Sequence, residues 1–122
     1  MGLTSSYNKA MAEYIQVFTT TNLREVAEKI TETLVRKRLA ACVQILGPIM
    51  SQYWWENKIT KDTEYLIIAK TRSDYYPELE KAIKEVHNYT VPEILAIPVI
   101  AGNSDYLNWL DEELKKSPNE KK

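Results

Sequence analysis

Cys42 and His87 are the only cysteine and the only histidine in the chain. Together they suggest two chemistries. A cysteine with a histidine is a nucleophile with its base, and thiolate with imidazole is a ligand pair for copper or zinc. The nucleophile reading lacks its other parts, since no oxyanion-hole motif and no orienting carboxylate accompany the pair. Cys42 lies in Ala40-Ala41-Cys42-Val43, a context in which a free cysteine packs as a small hydrophobe. The chain therefore reads as non-enzymatic, with no cofactor required. A closed structural metal site takes four ligands, more than one subunit offers. Symmetric subunits combining ligands, or Glu93 with solvent, would complete a weaker site for copper or another divalent cation. The plain alternative is a packed thiol and a histidine closing a helix, where the helix dipole favours the charged imidazole.

A second set of residues is aromatic. Tyr53, Trp54, Trp55, Tyr89, Tyr106 and Trp109 fall near one turn and one loop. With Lys70, Pro92 and Glu93 beside them, the set Trp54, Tyr89, Tyr106 and Trp109 is the candidate ligand cleft or interface. Aromatic density of this kind anchors oligomer interfaces more often than it lines small-molecule clefts. In a small oligomer both hold, because clefts form where subunits meet. Phosphate loops are excluded, because Gly2, Gly47 and Gly102 are isolated from one another.

The elements that must position these residues are legible from periodicity. Tyr14 to Thr20 is β-branched and aromatic, a strand. Asn22 offers a helix cap with Glu25 three residues on, and Leu23, Val26, Ala27, Ile30 and Leu34 recur at helical spacing. The basic cluster Arg36-Lys37-Arg38 ends that helix. Ala40 to Tyr53 is extended, with Gly47-Pro48 marking a bulge or bend. A turn follows at Trp54 to Lys58, with Asn57 suited to positive φ, and the chain returns through Ile59 and Tyr65 to Thr71. Ser73-Asp74 cap a second helix with Pro77 in its first turn and His87-Asn88 at its end. Glu93 to Ala101 is an apolar run whose Pro98 fits an edge position or a bulge better than a central one, and Asn103-Ser104-Asp105 open a last helix carrying Leu107, Leu110 and Leu114.

This order predicts an α+β fold, a ferredoxin-like βαββαβ sandwich with two helices on one face and an extra C-terminal helix. Residues 13–116 form the domain, between flexible tails at 1–12 and 117–122. Fourteen extended residues span about 46 Å, whereas a compact domain of this size has a radius of gyration of about 14 Å. The hairpin must project, and a projecting strand rich in Ile, Met, Tyr and Trp needs a partner. Strand addition between copies is the simplest solution.

Totals exclude other classes. Sixteen basic against seventeen acidic residues give a net charge of −1, which leaves no basic footprint for nucleic acid. A lone cysteine fits a reducing compartment, no apolar run reaches a membrane span and no secretory leader is evident, so a cytoplasmic protein with no membrane partner is expected. Met1-Gly2-Leu3-Thr4-Ser5-Ser6 matches only the permissive myristoylation pattern.

Taken together, Lys37-Arg38-Leu39-Ala40-Ala41-Cys42-Val43, Ser51-Gln52-Tyr53-Trp54-Trp55-Glu56-Asn57-Lys58-Ile59, Lys70-Thr71, His87-Asn88-Tyr89-Thr90-Val91-Pro92-Glu93-Ile94 and Tyr106-Leu107-Asn108-Trp109 resemble the CutA divalent-cation-tolerance family over residues 14–115. The resemblance implies a homotrimer of PII-like subunits whose hairpins pair between copies. It also implies a part in divalent cation (copper) tolerance with weak copper binding, for which Cys42 and His87 are the candidate ligands and Glu93 a weaker one. A PII-like signalling module holding a small molecule or anion at intersubunit clefts is the alternative. The chain departs from the family pattern at Gln44, Asn57, Asn88 and Thr90, the last two replacing a proline and a carboxylate.

Overall fold

A computed structural model describes residues 13–118; the two expected tails, 1–12 and 117–122, lie wholly or mostly outside them. Strand β1 (Tyr14–Thr21) leads into helix α1 (Arg24–Arg36), then the hairpin β2 (Cys42–Trp55) and β3 (Lys58–Arg72). A 3₁₀ turn (Ser73–Tyr75), helix α2 (Tyr76–Val86), strand β4 (Ile94–Pro98) and helix α3 (Ser104–Lys115) complete the chain. The sheet is antiparallel in the order β2-β3-β1-β4, the ferredoxin-like arrangement expected.

Strand pleating divides the sheet into two faces. Ile15 and Val17 of β1 with Ile67 and Ala69 of β3 pack on Ala27, Ile30 and Leu34 of α1 and on Leu79, Ala82 and Ile83 of α2, forming the core. The other face carries Phe18, Leu46, Leu66, Ile68, Leu95 and Ile97, which register pairs in rows. Along it Leu46, Leu95 and Ile97 remain 46%, 54% and 43% exposed. Helix α3 covers only the Tyr14 end: Leu110 and Leu114 are buried, Tyr14 Oη donates to Asp111 at 2.8 Å, and Arg38 meets Glu113 at 3.0 Å.

The hairpin overhangs the rest of the sheet. Strand β1 pairs with β3 only from Tyr65 to Arg72, so Lys58 to Glu64 have β2 alone as a neighbour. Seven residues at about 3.3 Å each make a projection of about 23 Å. The overhang turns at Glu56 and Asn57, with φ of 51° and 64°. Two left-handed residues are what a two-residue hairpin turn demands.

Some local expectations change. Asn22 does not cap α1; β1 runs on to Thr21, whose Oγ1 accepts from Leu23 N at 3.2 Å, and Asn22 accepts from Asn88 Nδ2 at 2.9 Å instead. Ser73 and Asp74 do not cap α2 either: the 3₁₀ turn intervenes, and Asp74 pairs with Arg72 at 3.3 Å. Asn103 does cap α3, accepting from Tyr106 N at 3.1 Å. Pro98 ends β4, an edge strand, as a residue without an N–H should. Among the described residues no helix is long and apolar enough to cross a membrane.

Candidate functional site

Gly47-Pro48 decides which residues the overhang presents. Up to Leu46, the even-numbered residues of β2 share a face with Leu66 and Ile68; the register then shifts, and Ile49 stands opposite Glu64. One inserted residue reverses the side on which every later side chain of the strand points. From Ile49 onward the odd-numbered residues lie on the same face as Glu64. Gly47 permits this with a φ of 144°, and a Cβ there would lie 3.0 Å from both Glu64 O and Tyr65 Cδ2.

The reversal carries Ser51, Tyr53 and Trp55 to one side. They meet Thr20 at the end of β1 and the loop Asn88 to Glu93 around a cleft of 680 Å³, floored by Glu64. That volume is in the range of small-molecule sites. Glu64 is only 6% exposed, and the Tyr89 hydroxyl donates to its Oε2 at 2.6 Å. Burial first, and then this carboxylate, raise the Tyr89 pKa far above its ordinary value, so the hydroxyl keeps its proton. Across the cleft Thr20 Oγ1 donates to Glu93 Oε1 at 3.5 Å.

His87 stands behind this cleft. Its Nδ1 accepts from Tyr89 N at 3.0 Å and its Nε2 lies 2.9 Å from the Thr20 carbonyl oxygen. A carbonyl can only accept, so Nε2 carries the proton and the ring is the neutral tautomer. Its plane is tilted 46° to the Tyr89 ring, with the centroids 5.0 Å apart. Burial pushes the His87 pKa down, against the charged form that a helix C-terminus alone would favour. Both nitrogens are thus engaged in holding the Tyr89 loop, and a metal would have to displace one of those bonds.

Cys42 lies elsewhere. It pairs with Lys70, in the row of Gln16, two strands across from β1 and offset along it from Thr20 by four residues, about 13 Å. Its neighbours are Tyr106, whose pKa is raised by burial and then by the thiol, and Lys70, whose Nζ sits 6.0 Å over the Tyr106 ring. Trp109 stacks on Tyr106 with centroids 5.5 Å apart. The expected aromatic set therefore divides. Tyr89 and Glu93 line the cleft, while Lys70, Tyr106 and Trp109 belong to the Cys42 end. Trp54, 71% exposed, is turned to the opposite side of the hairpin by the bulge. Pro92 is half-buried between the cleft residues Val91 and Glu93 but does not line the cleft itself. Tyr53 and Trp55 belong to the aromatic set expected from the sequence, whereas Glu64 and Thr20 do not. An acidic residue directly before Tyr65-Leu66-Ile67-Ile68 was the available signal.

The family model described as CutA1 divalent ion tolerance protein matches residues 15–113. The chain belongs to the CutA1 family. It is 49% identical over 102 residues to the divalent-cation tolerance protein CutA of Pyrococcus horikoshii, covering 84% of this chain and 99% of that one. The solved divalent cation tolerance protein of Thermus thermophilus superposes with a TM-score of 0.80 at 42% identity, over 82% of this chain and 97% of that one. A structure titled periplasmic divalent cation tolerance protein CutA, from Archaeoglobus fulgidus, gives 0.81 at 42% identity, covering 84% and 99%. CutA1 proteins are tolerance proteins and not enzymes, in agreement with the non-enzymatic reading of Cys42 and His87. The family name points to a divalent ion, but Cys42, His87 and Glu93 do not come together within the chain to hold one. Among the described residues no three His, Cys, Asp or Glu side chains cluster as ligands.

Proposed function

We propose that this CutA1 chain acts in divalent-cation tolerance as a homotrimer, and that its working site is the Tyr89–Glu64 cleft, used as a PII-like module uses its intersubunit clefts. The observation that carries the cleft is the bulge, which gathers Tyr53 and Trp55 against a buried carboxylate and the Tyr89 loop. Support for the trimer comes from the uncovered apolar face with Leu46, Leu95 and Ile97, the open outer edges of β2 and β4, and an overhang whose two strands have only each other as sheet neighbours. A surface of that kind is matched by further copies of itself. The test is a thermal-shift panel of small ligands on the native chain and on Trp55→Leu. A ligand that stabilises the native chain and not the variant supports the cleft; stabilisation by no ligand rejects it.

Copper contact is the second reading, favoured by the half-buried free thiol of Cys42. In a trimer its further ligands come from other subunits. Calorimetric titration with copper, repeated on Cys42→Ser and His87→Asn, assigns the ligands; unchanged affinity in both variants removes these two residues. The lone thiol fits a reducing cytoplasm, although the Archaeoglobus relative carries the word periplasmic in its title.

A further inference from the structure

The chemistry of the cleft lining narrows the class of ligand. Three aromatic residues, Tyr53, Trp55 and Tyr89, share it with two carboxylates, Glu64 and Glu93. Asp62 stands close enough to raise the pKa of both Tyr53 and Tyr89, adding a third negative charge at the rim. Every other lining residue is uncharged, and no Lys, Arg or His is among them. The one imidazole nearby, His87, lies behind Tyr89; burial lowers its pKa, outweighing the Thr20 carbonyl bond that raises it, and its Nδ1 is taken as acceptor by Tyr89 N.

From this we infer that the cleft binds an organic ammonium ion, a conclusion that rests on the cleft being a ligand site at all. Three alternatives fit less well. An anion would face an acidic lining that holds no cation, the nearest in register on that face being Lys58 opposite Trp55 at the hairpin tip, and its desolvation would go largely unanswered. A bare metal ion is far smaller than 680 Å³ and would need a ligand cluster that is absent among the described residues. A neutral apolar molecule would leave Glu64, only 6% exposed, facing it with the Tyr89 hydroxyl but no cation against its charge. An alkylated ammonium satisfies both parts of the wall, its alkyl groups and charge lying against aromatic faces and the charge also facing Glu64 and Glu93. The Tyr89 hydroxyl, already donated to Glu64, fixes that carboxylate in place.

The native full chain is titrated with choline, with its uncharged isostere 3,3-dimethylbutanol, and with ATP as an anion, following tryptophan fluorescence and calorimetric heat. Trp54 and Trp109 lie outside the cleft, so the same titration of Trp55→Leu isolates the cleft signal; Trp55 is 59% exposed and its loss leaves the core intact. Choline is expected to bind about tenfold more tightly than the isostere, to weaken with added salt, and to lose that preference in Glu93→Gln. Glu64→Gln, which keeps an acceptor for Tyr89, gives a second reading of the same loss. If the isostere or ATP binds as well as choline and the signal depends on Trp55, the ammonium assignment is overturned while the cleft stands. If none of the three binds, both fall.

Discussion

Replacing Tyr89 by Phe removes a single hydroxyl and tests how the cleft floor is held. That hydroxyl donates to Glu64 over 2.6 Å, the length of a bond to an ionised acceptor. Hydrogen bonds to charged groups contribute about 1.5–3 kcal/mol, and the acceptor left behind is almost fully buried, so a loss of about 2 kcal/mol per chain is expected. With an unfolding entropy of about 2.1 cal/mol/K per residue, a chain of this length should melt about 8 °C lower. Urea titration and calorimetry at matched protein concentration measure both quantities, concentration being held because assembly shifts apparent stability. Glu64→Gln should cost less, since the amide oxygen still accepts, and the double variant should cost less than the sum of the two. The alkaline limb carries a further signature. Below pH 10 Tyr89 is protonated folded and unfolded alike; above it the unfolded phenol ionises while the folded one does not, so native stability falls as pH rises. Tyr89→Phe should flatten part of that fall. A Tyr89→Phe variant within about 0.5 kcal/mol of native, or strict additivity in the cycle, would refute the role given to this bond.

Three other perturbations bear on separate links. Gly47→Ala places a Cβ against Glu64 O and Tyr65 at a φ of 144°, and should cost about 1–3 kcal/mol in urea unfolding; a neutral effect would mean the bulge does not need glycine. His87 has a lowered pKa when folded, so its contribution is complete above about pH 6.5 and declines as pH falls toward the folded value, because the unfolded state takes up the proton first. His87→Asn should remove that acid slope in a stability-versus-pH series, and an unaltered slope would place its origin elsewhere. Leu95→Glu puts a charge on the open sheet face, where the residue is already 54% exposed, and should yield a folded chain of reduced assembly state by light scattering; an unchanged mass would show that this face is not the contact.

Most of the fold was legible because it follows from periodicity. The β-branched and aromatic run Tyr14 to Thr20 forms a strand, Ile30 and Leu34 at helical spacing are buried in a helix, and of the edge or bulge expected at Pro98 the structure shows the edge. The cleft was legible only in part. A bulge at Gly47-Pro48 was readable from residue types, but its parity was not, and parity alone decides that Trp55 faces the cleft and Trp54 does not. Cys42 and His87 drew attention by being unique, yet the strand register holds them four residues apart along β1. Glu64 gave almost no signal, because its burial depends on Tyr89, a partner 25 residues away in the chain. Caps were misplaced for a similar reason: Asn22 is taken by Asn88, a tertiary contact, while Thr21 provides the local bond.

We propose that the overhanging hairpin and the open apolar face are covered by two further copies of the chain. Light scattering coupled to size exclusion, on the native protein at micromolar concentration, tests it most directly. A single species of three chain masses is the expected result; a stable monomer would contradict the account.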